Sequence, residues 1–454
     1  MKDSLKLKNS YRHIFSVALP MSLAIMIPQL SILANTIFLG NYESSNGIVL
    51  GKDALAVAGV AGIYHLVYAM VTFGLASGIL MLMSRKAGEE DPKGVGFVFR
   101  AGFQLGVALT VILMVISFFF SDAFFDFSLK NDLISSLAKD FMAIRIWGLP
   151  FLFCAHLGNV LFIATDKTKY MLFGTLGQTI INVGLDYLFI FGKGPFPEMG
   201  IEGAALASTI AELVSFLIVF GIIFYSSAFK QFKISLFKKV EVVFLKEYFI
   251  KSSPLMLQYL VSIGAWEVFF IYIEHLGERA LGASQIIRSV YGVMGIIVWA
   301  LANTVTSMVS NLYGQKAYNQ IIPLTKKVLA ISFTYVAIVS SVLFLFRKQF
   351  LGIYTDDIIV IQLAEPALGI VLSAALIFSF STIYFNAMLG LGNTQRNLIY
   401  ESITIFGYLI FCYIVVEKMR SPLWVAWTSE YVYWSLMLLL SGVYIHSKKW
   451  IPKA

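Results

Sequence analysis

The stretch Ala54 to Gly88 reads ALAVAGVAGIYHLVYAMVTFGLASGILMLMSRKAG, a long apolar run closed by Arg85 and Lys86. A helix crosses bilayer hydrocarbon in about 20 residues, so the run from about Ala54 to Leu82 spans a membrane with room for tilt. The same pattern returns further along the chain. Ala280-Leu281 to Gly314 aligns with it without gaps at an offset of 226, and Val67/Val293, Leu75/Leu301, Ala76/Ala302 and Ser84/Ser310 also match. Seven identities in 35 positions form a faint echo, and a second one reinforces it. At an offset of 227, Asn159 and the turn Thr165-Asp166-Lys167 fall on Asn386 and Gly392-Asn393-Thr394. A duplicated membrane-spanning unit follows.

The rest of the chain agrees. Of 454 residues 58% are apolar and only 13% charged, against roughly 45–50% and roughly 25% in soluble domains. Apolar runs between charged or turn-rich breaks give twelve expected spans. The first six lie near 14–40, 54–82, 96–120, 140–164, 170–191 and 201–226; the second six near 249–276, 281–312, 322–346, 361–390, 396–416 and 423–445. The fold class is therefore an all-α polytopic membrane protein with twelve transmembrane helices in two six-helix lobes, 1–235 and 236–454. With six spans each, both lobes start on the same side, so they are related by a pseudo-two-fold along the membrane normal, an architecture of secondary transporters. No soluble domain fits. The run near 14–40 is too long for a signal-peptide core and reads as an uncleaved first span.

Lys and Arg fix the expected orientation. Segments on the side of the N-terminus hold 22 of the 34, the opposite loops hold nine, and Arg100, Arg145 and Arg288 fall in or beside spans. Both termini are expected in the cytoplasm. The net charge of +8 needs no nucleic-acid partner, because cytoplasmic loops are basic anyway. Cys154 and Cys412 sit inside apolar runs, away from any metal-ligand spacing and without a disulfide framework.

Soluble-enzyme motifs are missing. The chain has no phosphate loop ending in Gly-Lys-Ser/Thr, no His-Glu-x-x-His and no Gly-x-Ser-x-Gly. Attention falls instead on ionisable residues at membrane depth, where charge is costly. Asp186 lies in the fifth span with Asn182 and Gln178 one and two turns earlier on the same face. Such a carboxylate can take up a proton, or it can join Asn182 in giving oxygen ligands to Na⁺; the structural alternative is a carboxylate pinned by a neighbouring helix. Asn35 in the first span can face the same pocket or bond another helix. Ser208 and Thr209 offer hydroxyls after Gly203-Ala204-Ala205. Glu267 is the acid deep in the seventh span, read either as a lone buried proton carrier or as the structural partner of Arg288. Glu212, Glu365, Glu401 and Glu430 lie in or near spans and read as snorkelling or pairing residues. His65 and His156 read as packing histidines. Among 68 aromatics and 16 Met, a subset lining a cavity would suit large apolar cations.

Several stretches carry a resemblance. They are Ala18-Leu19-Pro20 through Asn35-Thr36-Ile37-Phe38-Leu39-Gly40, Asn182 to Asp186, Gly200-Ile201-Glu202-Gly203-Ala204-Ala205-Leu206-Ala207-Ser208, and Leu389-Gly390-Leu391-Gly392-Asn393-Thr394. Together with the doubled Ala-Leu to Gly windows, they resemble the multidrug and toxic compound extrusion (MATE) family of cation-coupled drug antiporters. The resemblance implies an N-lobe cation site at Asn182, Asp186 and Ser208, and a C-lobe acidic position at Glu267. Two positions depart from the family pattern: Asn35 stands where Asp is common, and Ser379 where some members carry Asp.

The expected function is a monomeric inner-membrane antiporter that exports amphiphilic, cationic compounds against H⁺ or Na⁺, with no cofactor beyond the coupling ion. Its partners are small-molecule drugs and the lipid bilayer. A flippase for lipid-linked saccharides would need a strongly cationic cavity, which few intramembrane Arg supply. A membrane-embedded phosphotransferase would need clustered Asp or His at a membrane face. A channel fits the composition but fits repeats and buried single carboxylates less well.

Overall fold

The computed structural model describes residues 5–45 and 47–452 and is built of helices. In chain order the long ones are α1 Tyr11–Gly40, α2 Gly51–Gly88, α3 Pro92–Ser128, α4 Asp132–Ala164, α5 Met171–Ile190, α6 Gly200–Tyr225, α7 Val242–Glu274, α8 Glu278–Gly314, α9 Ile321–Leu345, α10 Ile358–Gly390, α11 Thr394–Lys418 and α12 Ser429–Ser447. Each expected span falls on one of them. The ends shift by up to eight residues, and at the twelfth the expected start, Leu423–Ala426, forms a separate helical turn. Helices are what a bilayer demands, since no water is there to satisfy exposed backbone groups. Among the described residues ten of these helices are long and apolar enough to cross a membrane. The other two are α5 and α12. In α5 the residues that lower the hydropathy include Gln178, Asn182 and Asp186, the polar face singled out above. The chain is a multi-pass membrane protein.

The repeat read from sequence reappears as local geometry. Glu90 and Lys316, also 226 residues apart, both adopt left-handed φ, at 54° and 60°. Beside them the Asp91 N–H donates to the Lys86 carbonyl at 3.1 Å and the Ala317 N–H to the Leu312 carbonyl at 3.0 Å. This closure satisfies carbonyls that a helix end leaves free, so α2 and α8 end in the same cap. The second echo shifts by one residue: the left-handed positions are Asp166 and Gly392, which sets that turn at offset 226 rather than 227. Asn393 instead caps α11, accepting from the Arg396 N–H.

The chain divides into two compact units. One comprises Leu19–Ala87 and Asp91–Met256; the other comprises residues up to Ala18, Gly88–Glu90 and the chain from Leu257 onward. Within the first, α5 and α6 pack as a tight pair. A Cβ on Gly203 would lie 2.8 Å from the Phe189 carbonyl carbon, so only glycine permits the approach. α4 is interrupted by a 3₁₀ turn at Ile146–Gly148. α3 turns Phe118, Phe119 and Phe127 outward, 80%, 69% and 93% exposed, as a surface facing hydrocarbon does. Within the second unit α10 packs on α8, α9 and α12 around Phe269, Tyr291, Phe378 and Trp427. The segment before α1 belongs here too: the Leu7 N–H donates to Asn311 Oδ1 and Asn311 Nδ2 to the Leu5 carbonyl.

Candidate functional site

In the Leu19–Met256 unit the helical spacing brings the expected residues together. Asp186, wholly buried, sits one turn after Asn182 on α5, and the Asn182 amide donates to Asp186 Oδ2 at 3.1 Å. The same amide nitrogen reaches Ser208 Oγ on α6 at 3.4 Å; the close approach at Gly203 makes that distance possible. From α1 the Ser31 hydroxyl donates to Asn182 Oδ1 at 2.5 Å. Asn182 is thus the hub, with its oxygen held by α1 and its nitrogen shared between Asp186 and α6. The other carboxylate oxygen, Asp186 Oδ1, is buried with no hydrogen-bond partner. A buried polar atom left unpaired is costly, so this one is open to a proton or a cation.

Asn182 and Ser208 also line a cavity of about 500 Å³ with Ser31, Asn35 and Gln178. Asn35 therefore faces the expected pocket. Thr209 does not line it; its hydroxyl is 3.5 Å from the Ile144 carbonyl. Ser31, which the sequence reading passed over, has a periodic signal: it lies four residues before Asn35, on the same helical face.

The cavity wall also carries a charge pair. Arg145 grips Glu212 through two bonds, Nη1 to Oε2 at 2.7 Å and Nη2 to Oε1 at 2.5 Å. Both side chains are largely enclosed, at 14% and 3% exposed. A Cβ on Gly148 would fall 2.0 Å from Glu212 Oε2 and 2.6 Å from Arg145 Nη1. The 3₁₀ break in α4 thus places a glycine where the pair needs the space. Sequence suggested a pairing role for Glu212 but not its partner.

Outside the spans a clasp fixes the end of α1. Glu198, in the α5–α6 connection, accepts from the Tyr42 hydroxyl at 2.9 Å, from the Ser45 N–H at 3.1 Å and from the Ser45 hydroxyl. These bonds, the Ser45 hydroxyl and Tyr42 first, hold its carboxyl below the usual range. Gly200 has a φ of +53°, and a Cβ there would meet the Tyr42 hydroxyl at 2.6 Å. The clasp binds the helix carrying Ser31 and Asn35 to the connection between those carrying Asn182 and Ser208.

The second unit differs from expectation. Glu267 is not a lone buried acid: about a third exposed, it faces Arg288 of α8 at 3.6 Å, the partner the alternative reading named. Arg288 also lies over the Phe270 ring, 5.0 Å from its centroid. Ser379 is wholly buried and donates to the Leu376 carbonyl of its own helix at 2.7 Å. The enclosed acids are Glu401 and Glu430, at 3% and 2% exposed. Sequence gave them an interfacial role, because position along a span says nothing of which face is covered. The two histidines are packing residues. His156 stacks on Phe73 at 4.1 Å between centroids, and His65 is buried.

The pattern that defines the MatE family matches residues 20–188 and 254–414. The chain belongs to that family. It is a transporter rather than an enzyme. It is 23% identical over 362 residues to the probable multidrug resistance protein NorM of Synechocystis sp., covering 79% of this chain and 75% of that one. To the NorM of Thermotoga maritima it is 23% identical over 455 residues, covering 98% and 94%. A solved outward-facing structure of a multidrug resistance MATE family transporter superposes with a TM-score of 0.88 over 99% of each chain at 18% identity, a likeness of fold.

Proposed function

We propose that this protein is a multidrug exporter of the cytoplasmic (inner) membrane, an antiporter that expels amphiphilic, cationic compounds in exchange for H⁺ or Na⁺ by alternating access. The observation that carries the reading is Asp186, a wholly buried carboxylate with one unpartnered oxygen, joined through Asn182 to a drug-sized cavity. Cavities of roughly 300–1,000 Å³ accommodate drug-sized ligands. The relatives named multidrug resistance proteins support the substrate class.

Of the two ions, the geometry favours H⁺. Asn182 turns its nitrogen towards Asp186 while its oxygen is engaged by Ser31, and an N–H cannot ligate a cation. A proton needs only the free Asp186 oxygen. Na⁺ would require the amide to turn over and the Ser31 bond to break. With Asn35 and Ser208 neutral, the site holds one carboxylate, so one proton discharges it. Coupling follows if proton and drug favour different conformations, since a ligand shifts an equilibrium only by its differential affinity. The reading includes two six-helix lobes, 1–235 and 236–454, a monomeric state and both termini in the cytoplasm.

The test is drug efflux from proteoliposomes with H⁺ and Na⁺ gradients imposed separately. Efflux driven by the H⁺ gradient and abolished by a protonophore is expected. Efflux driven by Na⁺ at equal pH would reverse the choice of ion, and no response to either gradient would end the antiport reading.

A further inference from the structure

The unit from Leu257 onward buries two acids that the antiport site does not use. Glu401 of α11 accepts from the Ser262 hydroxyl of α7 at 2.6 Å and the Tyr433 hydroxyl of α12 at 2.5 Å, both at Oε1. Glu430, in the first turn of α12, accepts from the Trp434 indole at 2.8 Å, at Oε2. Neither acid makes an ion pair among the described residues.

The surroundings supply no compensating charge. Glu267 of α7 and Arg288 of α8 are engaged with each other. α10 brings one charged residue, Glu365, which pairs with Arg347. What faces the acids is neutral: Tyr291 from α8, Tyr408 and Cys412 from α11, and Tyr433 from α12, all within electrostatic reach of Glu430. Tyr433, bonded to Glu401, follows Glu430 by three residues on α12 and so lies one helical turn from it. A second observation points the same way. The hydroxyls of Tyr291, Tyr408 and Ser429, on residues more than nine-tenths buried, make no hydrogen bond of good geometry, although Tyr291 lies close to Glu430 and Tyr408 close to Ser429. They are rotatable donors beside Glu430, ready for a charge that comes and goes.

We propose that Glu401 and Glu430 form a proton-binding pair that gains and releases one proton, with Tyr433 bonded to the first acid and one helical turn from the second. Uptake transfers a proton from water to a carboxylate oxygen outside the existing bonds, Oε2 of Glu401 or Oε1 of Glu430, and removes one negative charge. Release reverses it, and the free tyrosine hydroxyls turn towards the restored anion. A carboxylate enclosed in low dielectric without a basic partner is not held as an anion. A metal ion suits the pair less well, because the groups already bound to the acids are donors and an indole N–H has no lone pair to offer. Use of the pair in transport rests on the antiport reading, but its titration does not.

Infrared difference spectra of the purified full-length chain in lipid nanodiscs, with glutamate alone carboxyl-labelled, read the titration without substrate or gradient. The wild type is expected to show a carboxylic-acid carbonyl band of an apolar environment that grows and fades with pH. The band should be lost in the Glu401→Gln/Glu430→Gln double variant. Tyr433→Phe removes a single donor, so it should keep the band and move its midpoint by about one pH unit. No such band in the wild type, or an unchanged band in the double variant, overturns the proposal. Should the double variant fail to fold, an unmoved midpoint in Tyr433→Phe overturns it equally. Labelling only glutamate leaves Asp186 silent, so failure here leaves the efflux test of the antiport reading intact.

Discussion

The two units bury acids in different company. In the Leu19–Met256 unit Glu212 is locked to a guanidinium by two short bonds, while Asp186 keeps a free oxygen near a cavity. In the other unit Glu267 and Arg288 form an open ion pair, and the enclosed acids Glu401 and Glu430 meet only neutral donors. The contrast shows what partner chemistry decides at low dielectric. A guanidinium fixes a carboxylate as an anion. A hydroxyl or amide satisfies it in either state and leaves its charge free to change.

Asp186→Asn tests the comparison most severely. It should abolish coupled efflux of cationic and neutral compounds alike while the protein still inserts and melts near the wild type. Wild-type efflux from vesicles bearing this variant would remove Asp186 from the ion path. Asn182→Ala and Ser208→Ala should slow efflux less, since each removes a neutral group and leaves the charge.

Next in size is the locked pair. Arg145→Met leaves Glu212 buried without its counter-charge, a loss of about 3–5 kcal/mol, seen as a large fall in melting temperature or failure to insert. Arg145→Met with Glu212→Leu should recover much of that loss. If the single variant melts like the wild type, the pair is not a locked one.

The clasp predicts a pH effect outside the membrane. Folding holds the Glu198 carboxyl below its ordinary value, so its contribution is complete above the ordinary carboxylate range and is lost as pH falls through the lowered value. Melting curves of the wild type and Glu198→Gln should differ at neutral pH and converge in acid. A difference that persists at low pH would exclude the carboxylate as its cause.

The smallest effect belongs to the open pair. Glu267→Gln should change stability by about 0–1 kcal/mol, as exposed ion pairs do. A melting shift as large as that of Arg145→Met would erase the distinction between the two pairs. Efflux of a cationic compound falling more than that of a neutral one of similar size would show that Glu267 meets substrate.

Much of this was legible in the chain. Twelve apolar runs became twelve long helices because a bilayer leaves the backbone no other way to satisfy its hydrogen bonds, and composition alone reveals that. The doubled window became two helices with the same cap because a left-handed turn follows local residues. Gln178, Asn182 and Asp186 share one face by helical period. Neighbours from other helices were beyond reach. Nothing between positions 31 and 182 links Ser31 to Asn182 in the sequence, and nothing assigns Arg145 to Glu212 rather than to water.

The sequence by itself therefore determined what depends on hydropathy and on periodicity within one helix: the spans, the repeat, the face of α5 that carries the acid, and the family. Tertiary structure alone decided which acids are paired, enclosed or free. Glu267 and Glu401 look alike in the chain, each a single acid in an apolar run. Helix rotation and packing put Glu267 beside Arg288 near the surface and Glu401 among hydroxyls in the interior. The charge state of a carboxylate depends on distances of a few ångströms to groups from other helices, and those distances are set only when the helices pack.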